Sequence, residues 1–127
     1  MNMIQRTEQV PTWARELFAS VDAMDLDAIV ARFADDVRFR FGNAQAVVGR
    51  EDARAATAEF FGLIGGMSHQ FREVWELGPS SVLITDVRYT RRDGRVVLLP
   101  AATLVHRRAD GLVEDMQIFM DVTPAVA

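Results

Sequence analysis

The chain has no cysteine and no lysine. Without cysteine there is no disulfide framework, no thiolate metal site and no cysteine nucleophile. Without lysine, all 14 basic residues are arginine, and Schiff-base chemistry on a lysine side chain is excluded. Histidine occurs only at His69 and His106, too far apart for the short-spaced ligand pairs of a zinc site, so no metal is expected. No apolar run approaches the roughly 20 residues that span a bilayer, and the N-terminus lacks the charged-then-apolar layout of a signal peptide. A cytoplasmic protein with no membrane partner is the expectation. A phosphate-cradling glycine loop and a Gly-x-Ser-x-Gly elbow are both missing. Ser20, Ser68, Ser80 and Ser81 have no neighbouring sequence that suggests a triad.

What is present is the material of a single domain spanning residues 1–127. Half the residues are hydrophobic and 25% are charged, with a formal net charge of −4. Arg91, Arg92, Arg95, Arg107 and Arg108 cluster near turns of a net acidic chain. That pattern reads as a solvated face, and no nucleic-acid partner is expected.

From Pro11 to Val21, Trp13, Leu17, Phe18 and Val21 recur at helical spacing, with Pro11 suited to the first turn. Asp25 is placed to cap a second short helix carrying Leu26, Ile29, Val30 and Phe33, which Asp35-Asp36 would end. Val37, Phe39 and Phe41 alternate with Arg38 and Arg40 in the manner of a strand. A third helix is expected from about Arg50, with Ala56, Phe60, Leu63 and Ile64 on its buried face and Gly65-Gly66 as its stop. Beyond it, residues 67 to 123 read as a meander of strands near 67–77, 82–92, 95–108 and 112–122. Gly78-Pro79 and the dipeptides Asp93-Gly94 and Asp110-Gly111 punctuate it, the last two read as two-residue hairpin turns. A frayed tail is expected after Pro124. The order is ααβα followed by ββββ, an α+β domain whose sheet must curl over its helices to hide one face.

That order resembles the nuclear transport factor 2-like superfamily, and within it the SnoaL-like proteins. The residues carrying the likeness are Asp25-Leu26-Asp27, Phe33-Ala34-Asp35-Asp36, Gly49-Arg50, and His69 with Trp75. Tyr89-Thr90-Arg91-x-Asp93-Gly94, Leu99-Pro100, Gly111-Leu112-Val113 and Gln117-x-Phe119-x-Asp121 extend it over nearly the whole chain. The resemblance implies a cone: three N-terminal helices packed on a strongly curved mixed or antiparallel sheet, a cystatin-like roll with an apolar pocket in its wide end. It also implies a homodimer through the outer sheet face, and relatives that include ketosteroid isomerases, limonene epoxide hydrolases and polyketide cyclases.

The catalytic groups of those enzymes do not carry over. Aligned on Ala34-Asp35-Asp36, the isomerase base would fall at Phe41, its tyrosine donor at Leu17 and its carboxylic-acid donor at Thr103. The epoxide-hydrolase set would fall at Val87, Tyr89 and Ile118. The cyclase acid also falls at Ile118, with Met116 in its neighbouring histidine position. A strand register shifted by one residue would instead bring Asp86, Arg88 or Asp121 inward.

Two residues remain as candidate catalysts. His69 is the first candidate for a proton-transfer group, because imidazole titrates near neutrality. It heads a face continued by Phe71, Glu73, Trp75 and Leu77. Tyr89, the one tyrosine, points inward with Thr85 and Val87 and could donate to a ligand carbonyl. Trp13, Leu17, Phe41, Phe60, Trp75, Val87, Thr103, Met116, Ile118 and Met120 are the candidate pocket lining, and the same residues read equally as core. Glu114 and His106 are expected near solvent. Asp115, Gln117 and Asp121 are expected to meet Arg88 and Asp86 on the outer face. The sequence therefore supports a SnoaL-like acid/base enzyme, an isomerase, cyclase or dehydratase that needs no cofactor and acts on a small apolar or aromatic molecule. The alternative is a non-catalytic ligand-binding or dimerisation module that kept the pocket without the acids.

Overall fold

The structure is a computed structural model that describes residues 5–7 and 9–127. Along the chain run β1 (Gln5–Arg6), α1 (Thr12–Asp22), α2 (Leu26–Val30), β2 (Phe33–Phe41), β3 (Val47–Val48) and α3 (Arg50–Phe61). They are followed by β4 (Ile64–Leu77), β5 (Ser80–Arg91), β6 (Val96–Arg107), β7 (Val113–Phe119) and α4 (Thr123–Val126). The described strands form one sheet in the order β1-β4-β5-β6-β7-β2-β3. Only β2 and β7 pair in parallel; the other neighbours are antiparallel. This is the expected α+β architecture, helices on a mixed, unclosed sheet, with a fourth short helix added at the C-terminal end.

The helices cover one face of the sheet because their apolar stripes have nowhere else to go. On α1, Ala14, Leu17 and Phe18 are buried, and Pro11 precedes its first turn, its carbonyl accepting from the N–H groups of Ala14 and Arg15 at 3.1 Å. Asp25 caps α2 as read, its carboxylate accepting from the Ala28 N–H at 3.1 Å. Phe33, Val37, Phe39, Val74, Leu83, Val105, Val113 and Met116 complete the main core. A second cluster, Ile64, Val87, Tyr89, Ala101 and Ala125, lies under α4.

Several boundaries differ from the sequence reading, each for a local reason. Helix α2 stops at Val30, and Phe33 through Asp36 belong to β2, because Phe33 and Ala34 are drawn fully into the core. Helix α3 ends at Phe61, with Gly62 as its cap, Ala53 as its buried residue and Leu63 half exposed beyond it. Gly65 and Gly66 sit inside β4 instead: a Cβ on Gly65 would lie 3.1 Å from the Arg91 carbonyl oxygen, so the two strands close up only over glycine. The residues after Pro124 do not fray, since Ala125 is buried. β1 and β3 are short edge strands that carry too few residues to show a pattern.

Both Asp-Gly hairpins have three-residue loops rather than two. The Gly94 N–H donates to the Arg91 carbonyl at 3.0 Å and the Arg91 N–H to the Arg95 carbonyl at 2.7 Å. Gly111 repeats this with Arg108 at 2.9 Å, and Arg108 with Leu112 at 2.8 Å. Each is a tight turn closed by a left-handed glycine, Gly94 at φ 88° and Gly111 at φ 87°. The two-residue hairpin is Gly78-Pro79, with Gly78 at φ 55° in the first loop position. Gly94→Ala should therefore destabilise the domain by about 1 kcal/mol, although no atom lies within 4 Å of the added methyl. A thermal melt should show a drop of a few degrees; an unchanged melting temperature would contradict the turn assignment.

Two bulges decide which side chains face the helices. In β4 the pairing shifts between Phe71 and Glu73, leaving Arg72 extra. Met67, His69 and Phe71 face inward before it, and Val74 after it, opposite buried Leu83. In β7 the pairing shifts beside Arg107, so that Val113 and Met116 are both buried and Glu114 turns outward.

Candidate functional site

An apolar cavity of about 440 Å³ opens between the helices and the sheet. Its walls include Phe18, Phe33, Phe39, Phe41, Phe60, Phe61, Met67, Met116, Ile118 and Met120. Deep in the cavity the polar side chains are His69, Tyr89 and Thr103, while Asn43, Gln45, Glu59 and Asp121 stand toward the mouth. Among the described residues no arginine lines it, and the only formally charged lining residues besides histidine are Glu59 and Asp121. A volume of this size suits a small molecule, and the charge pattern gives an anion nothing to pair with.

His69 is the best-organised of these groups. Its ring Nδ1 lies 2.6 Å from Asp22 Oδ1, and its backbone N–H donates to Asp22 Oδ2 at 3.0 Å. A carboxylate only accepts, so Nδ1 carries the proton and Nε2 holds the lone pair. The hydrogen bonds that His69 makes among the described residues run through Nδ1 and the backbone N–H, and leave Nε2 free. Phe18 packs edge-on against the imidazole, 4.7 Å between centroids, and holds its plane. The His69 side chain is 9% exposed and Asp22 27%, so both are shielded but reachable.

Asp22 is the member of this pair that sequence reasoning missed. It is the last residue of α1, where a negative charge opposes the helix dipole. Two donors from one residue of β4 compensate. The signal available was its place four residues after Phe18, on the stripe that faces the cavity. Nothing in sequence links it to a histidine 47 residues away.

Tyr89 lies on β5, diagonally across from His69, which pairs directly with Val87. It is 1% exposed, stacks edge-on with Phe60 at 5.9 Å, and donates only to the Met120 thioether at 3.5 Å. Burial, and then the charge of Asp22, push its ionisation well above the ordinary tyrosine value. Tyr89 is accordingly a donor and not a base.

The structure brings His69, Tyr89, Phe41, Phe60, Thr103, Met116, Ile118 and Met120 to the cavity. It does not bring Trp13, Leu17, Trp75 or Val87 there. Leu17 is 1% exposed in the main core, and Trp13 lies at the far end of the same helix, under the Arg107 guanidinium at 4.2 Å. The Arg72 bulge turns Trp75 to the outer face, opposite Val82 and beside Arg6. Val87 does face inward, but Ile64, Tyr89, Ala101 and Ala125 bury it completely. Asp86 and Arg88 stay on the outer face, where Asp86 meets Arg72 at 3.7 Å and Asp115 meets Arg38 at 3.8 Å. Asp121 reaches the mouth, where the Thr123 side chain, and then the Thr123 N–H donating to it at 3.0 Å, hold its pKa below the ordinary carboxylate value. Among the described residues no cluster of three or more histidine or acidic side chains could hold a metal.

The SnoaL-like domain model matches residues 14–116, and the chain belongs to that family. Solved structures agree on the fold. A protein with a ketosteroid isomerase-like fold from Catenulispora acidiphila DSM 44928, in complex with trimethylamine, is 16% identical with a TM-score of 0.82, covering 93% of this chain and 91% of its own. A structure assigned to the SnoaL-like polyketide cyclases, from Jannaschia sp. CCS1, is 24% identical with a TM-score of 0.77 over 94% and 96%. TerC, co-crystallised with polyporic acid, is 20% identical with a TM-score of 0.76 over 88% and 91%. No curated protein matches the chain.

Proposed function

We propose that this protein is an acid/base enzyme of the isomerase, cyclase or dehydratase kind, acting on a small, uncharged, apolar or aromatic carbonyl compound. The observation that carries the reading is the Asp22–His69 pair at the wall of an apolar cavity. Nε2 of His69 takes a proton from the carbon next to the carbonyl. The Tyr89 hydroxyl donates to the oxygen as negative charge builds on it. His69 then returns its proton to another carbon or to a leaving hydroxyl. Asp22 keeps the imidazole oriented and stabilises it while it is protonated. That sequence of steps needs no cofactor. A cytoplasmic location belongs to the same reading; among the described residues no helix is long and apolar enough to cross a membrane.

The alternative, a pocket that binds without turnover, draws support from Phe41, Thr103 and Ile118, apolar or neutral groups where enzyme relatives hold acids. A screen of enones, hydroxyketones and polyketide mimics separates the two. Turnover that vanishes in His69→Ala supports the enzyme; ligands bound with no turnover of any would leave the binding module.

We also propose a homodimer through the outer sheet face. Val96 (46% exposed), Leu98 (61%) and Phe119 (52%) lie there, toward the end of β6 that is away from His106, on the face the chain's own helices do not cover. An apolar patch of this kind marks an interaction surface. The mass in solution at micromolar concentration should be that of a dimer, and Leu98→Asp should return it to a monomer. A monomeric wild type rules the dimer out.

A further inference from the structure

The outer face of the sheet carries a second constellation that the cavity chemistry does not use. Ser80 Oγ lies 2.8 Å from His106 Nδ1, and His106 Nε2 lies 3.0 Å from Glu114 Oε1. The three side chains come from the adjacent strands β5, β6 and β7. Ser80 and His106 are direct cross-strand partners. Glu114 reaches them only because of the β7 bulge: with regular alternation from Met116 it would point into the core. A bulge that re-aims one side chain is a feature often found beside active sites. Together they border a concavity of about 400 Å³, shared with Asp36, Arg38, Leu104, Asp115 and Gln117.

The hydrogen-bond logic is consistent from end to end. The Glu114 carboxylate only accepts, so Nε2 carries the proton and donates to it. Nδ1 is then the lone-pair nitrogen, and the Ser80 hydroxyl donates to Nδ1. A nucleophile, a base and a group that orients the base stand within hydrogen-bond reach of one another. The ring nitrogens have the opposite assignment from the serine-protease arrangement, but the roles are the same, and roles define such a relay. His106 and Glu114 are each 37% exposed, so a substrate can reach them.

We propose that Ser80, His106 and Glu114 form an acyl-transfer site for small uncharged carboxylic esters, independent of the cavity. Ser80 Oγ bonds to the ester carbonyl carbon while its proton passes to His106 Nδ1. The carbon–alkoxy bond then breaks, and His106 gives that proton to the departing alkoxide. Water, activated by the same nitrogen, releases the acid and restores the hydroxyl. Leu104, 37% exposed, offers the acyl group an apolar rest.

A fluorophosphonate probe tests this directly, since an activated serine displaces its fluoride and keeps the phosphonyl group. Peptide mapping should find the adduct on Ser80 of the wild-type protein. Labelling of His106→Ala should be about 100-fold slower, the scale of a lost general base, with Glu114→Gln between the two. Ser68→Ala, an exposed serine elsewhere on the sheet, should label as wild type. Hydrolysis of p-nitrophenyl acetate should fall in parallel in Ser80→Ala. No adduct on Ser80, equal labelling without His106, or unchanged ester hydrolysis in Ser80→Ala would each overturn the proposal. The absence of an adduct on the wild-type protein needs no variant to fold and is enough by itself to overturn the proposal.

Discussion

Asp22→Asn should lower kcat on the cavity's substrate by about 100-fold or more, and His69→Ala by about 100- to 10,000-fold, while ligand affinity stays within a few-fold. Asparagine keeps the shape of Asp22 but presents an amide that can donate to the imidazole as well as accept from it. The ring is then free to adopt the tautomer whose proton sits on Nε2, facing the cavity with no lone pair to offer. The stabilising charge beside the protonated ring is lost at the same time. The two substitutions should be far from additive, because they remove parts of one unit. A double variant much slower than His69→Ala alone would mean that Asp22 acts elsewhere. Binding should survive, since Phe41, Phe60, Met116 and Ile118 supply the apolar contact and none of them touches the change. A loss of affinity equal to the loss of rate would show that the pair shapes the cavity without performing chemistry.

The acidic partner in that prediction is the part of the site that sequence patterning did not expose. Strand patterning finds residues that share a face, so Phe39 and Phe41, Thr85 and Tyr89, and Met116 and Ile118 were placed inward correctly. It fails at bulges, where one extra residue reverses every later side chain. Counting in twos from His69 places Trp75 in the cavity, and Arg72 breaks that count. At the β7 bulge the same count in twos from Met116 would turn Glu114 inward, away from His106; its expected place near solvent is right, but the contact with His106 follows from the bulge alone. Trp13 and Leu17 were misplaced for a different reason. Helical periodicity identifies the buried stripe of α1 but not how far along it the cavity extends; Phe18 and Val21 border the cavity, while Leu17 fills the core and Trp13, half-buried, packs against it under Arg107. The element order and the meander were legible because their signals are local. The Asp22–His69 pair joins a helix end to a strand across the fold, and only packing brings them together.

Tyr89→Phe should cut kcat by about 100-fold and leave the melting temperature almost unchanged. Those two outcomes together define a donor held in reserve. A fully buried hydroxyl usually stabilises a fold through its hydrogen bond, by about 1 kcal/mol. Here the acceptor is a thioether at 3.5 Å, a weak partner, so little stability is lost when the hydroxyl goes. The ring's contacts with Phe60 and the cluster under α4 are kept by phenylalanine. A strong acceptor, such as a carbonyl oxygen gathering negative charge, draws the same donor away from Met120 easily. Removing one donor of that kind costs about 100- to 1,000-fold in other enzymes. The pH profile separates this role from that of a base. Because burial and Asp22 push the phenol's ionisation upward, the wild-type rate should show no tyrosine limb below about pH 10, the ordinary phenol value. The rate lost in Tyr89→Phe should be the same at every pH below that, as for a donor that stays protonated; a loss that varied with pH would make the phenol a base. A melting temperature that falls by many degrees with no change in rate would make Tyr89 a structural residue, and would leave His69 without its partner in catalysis.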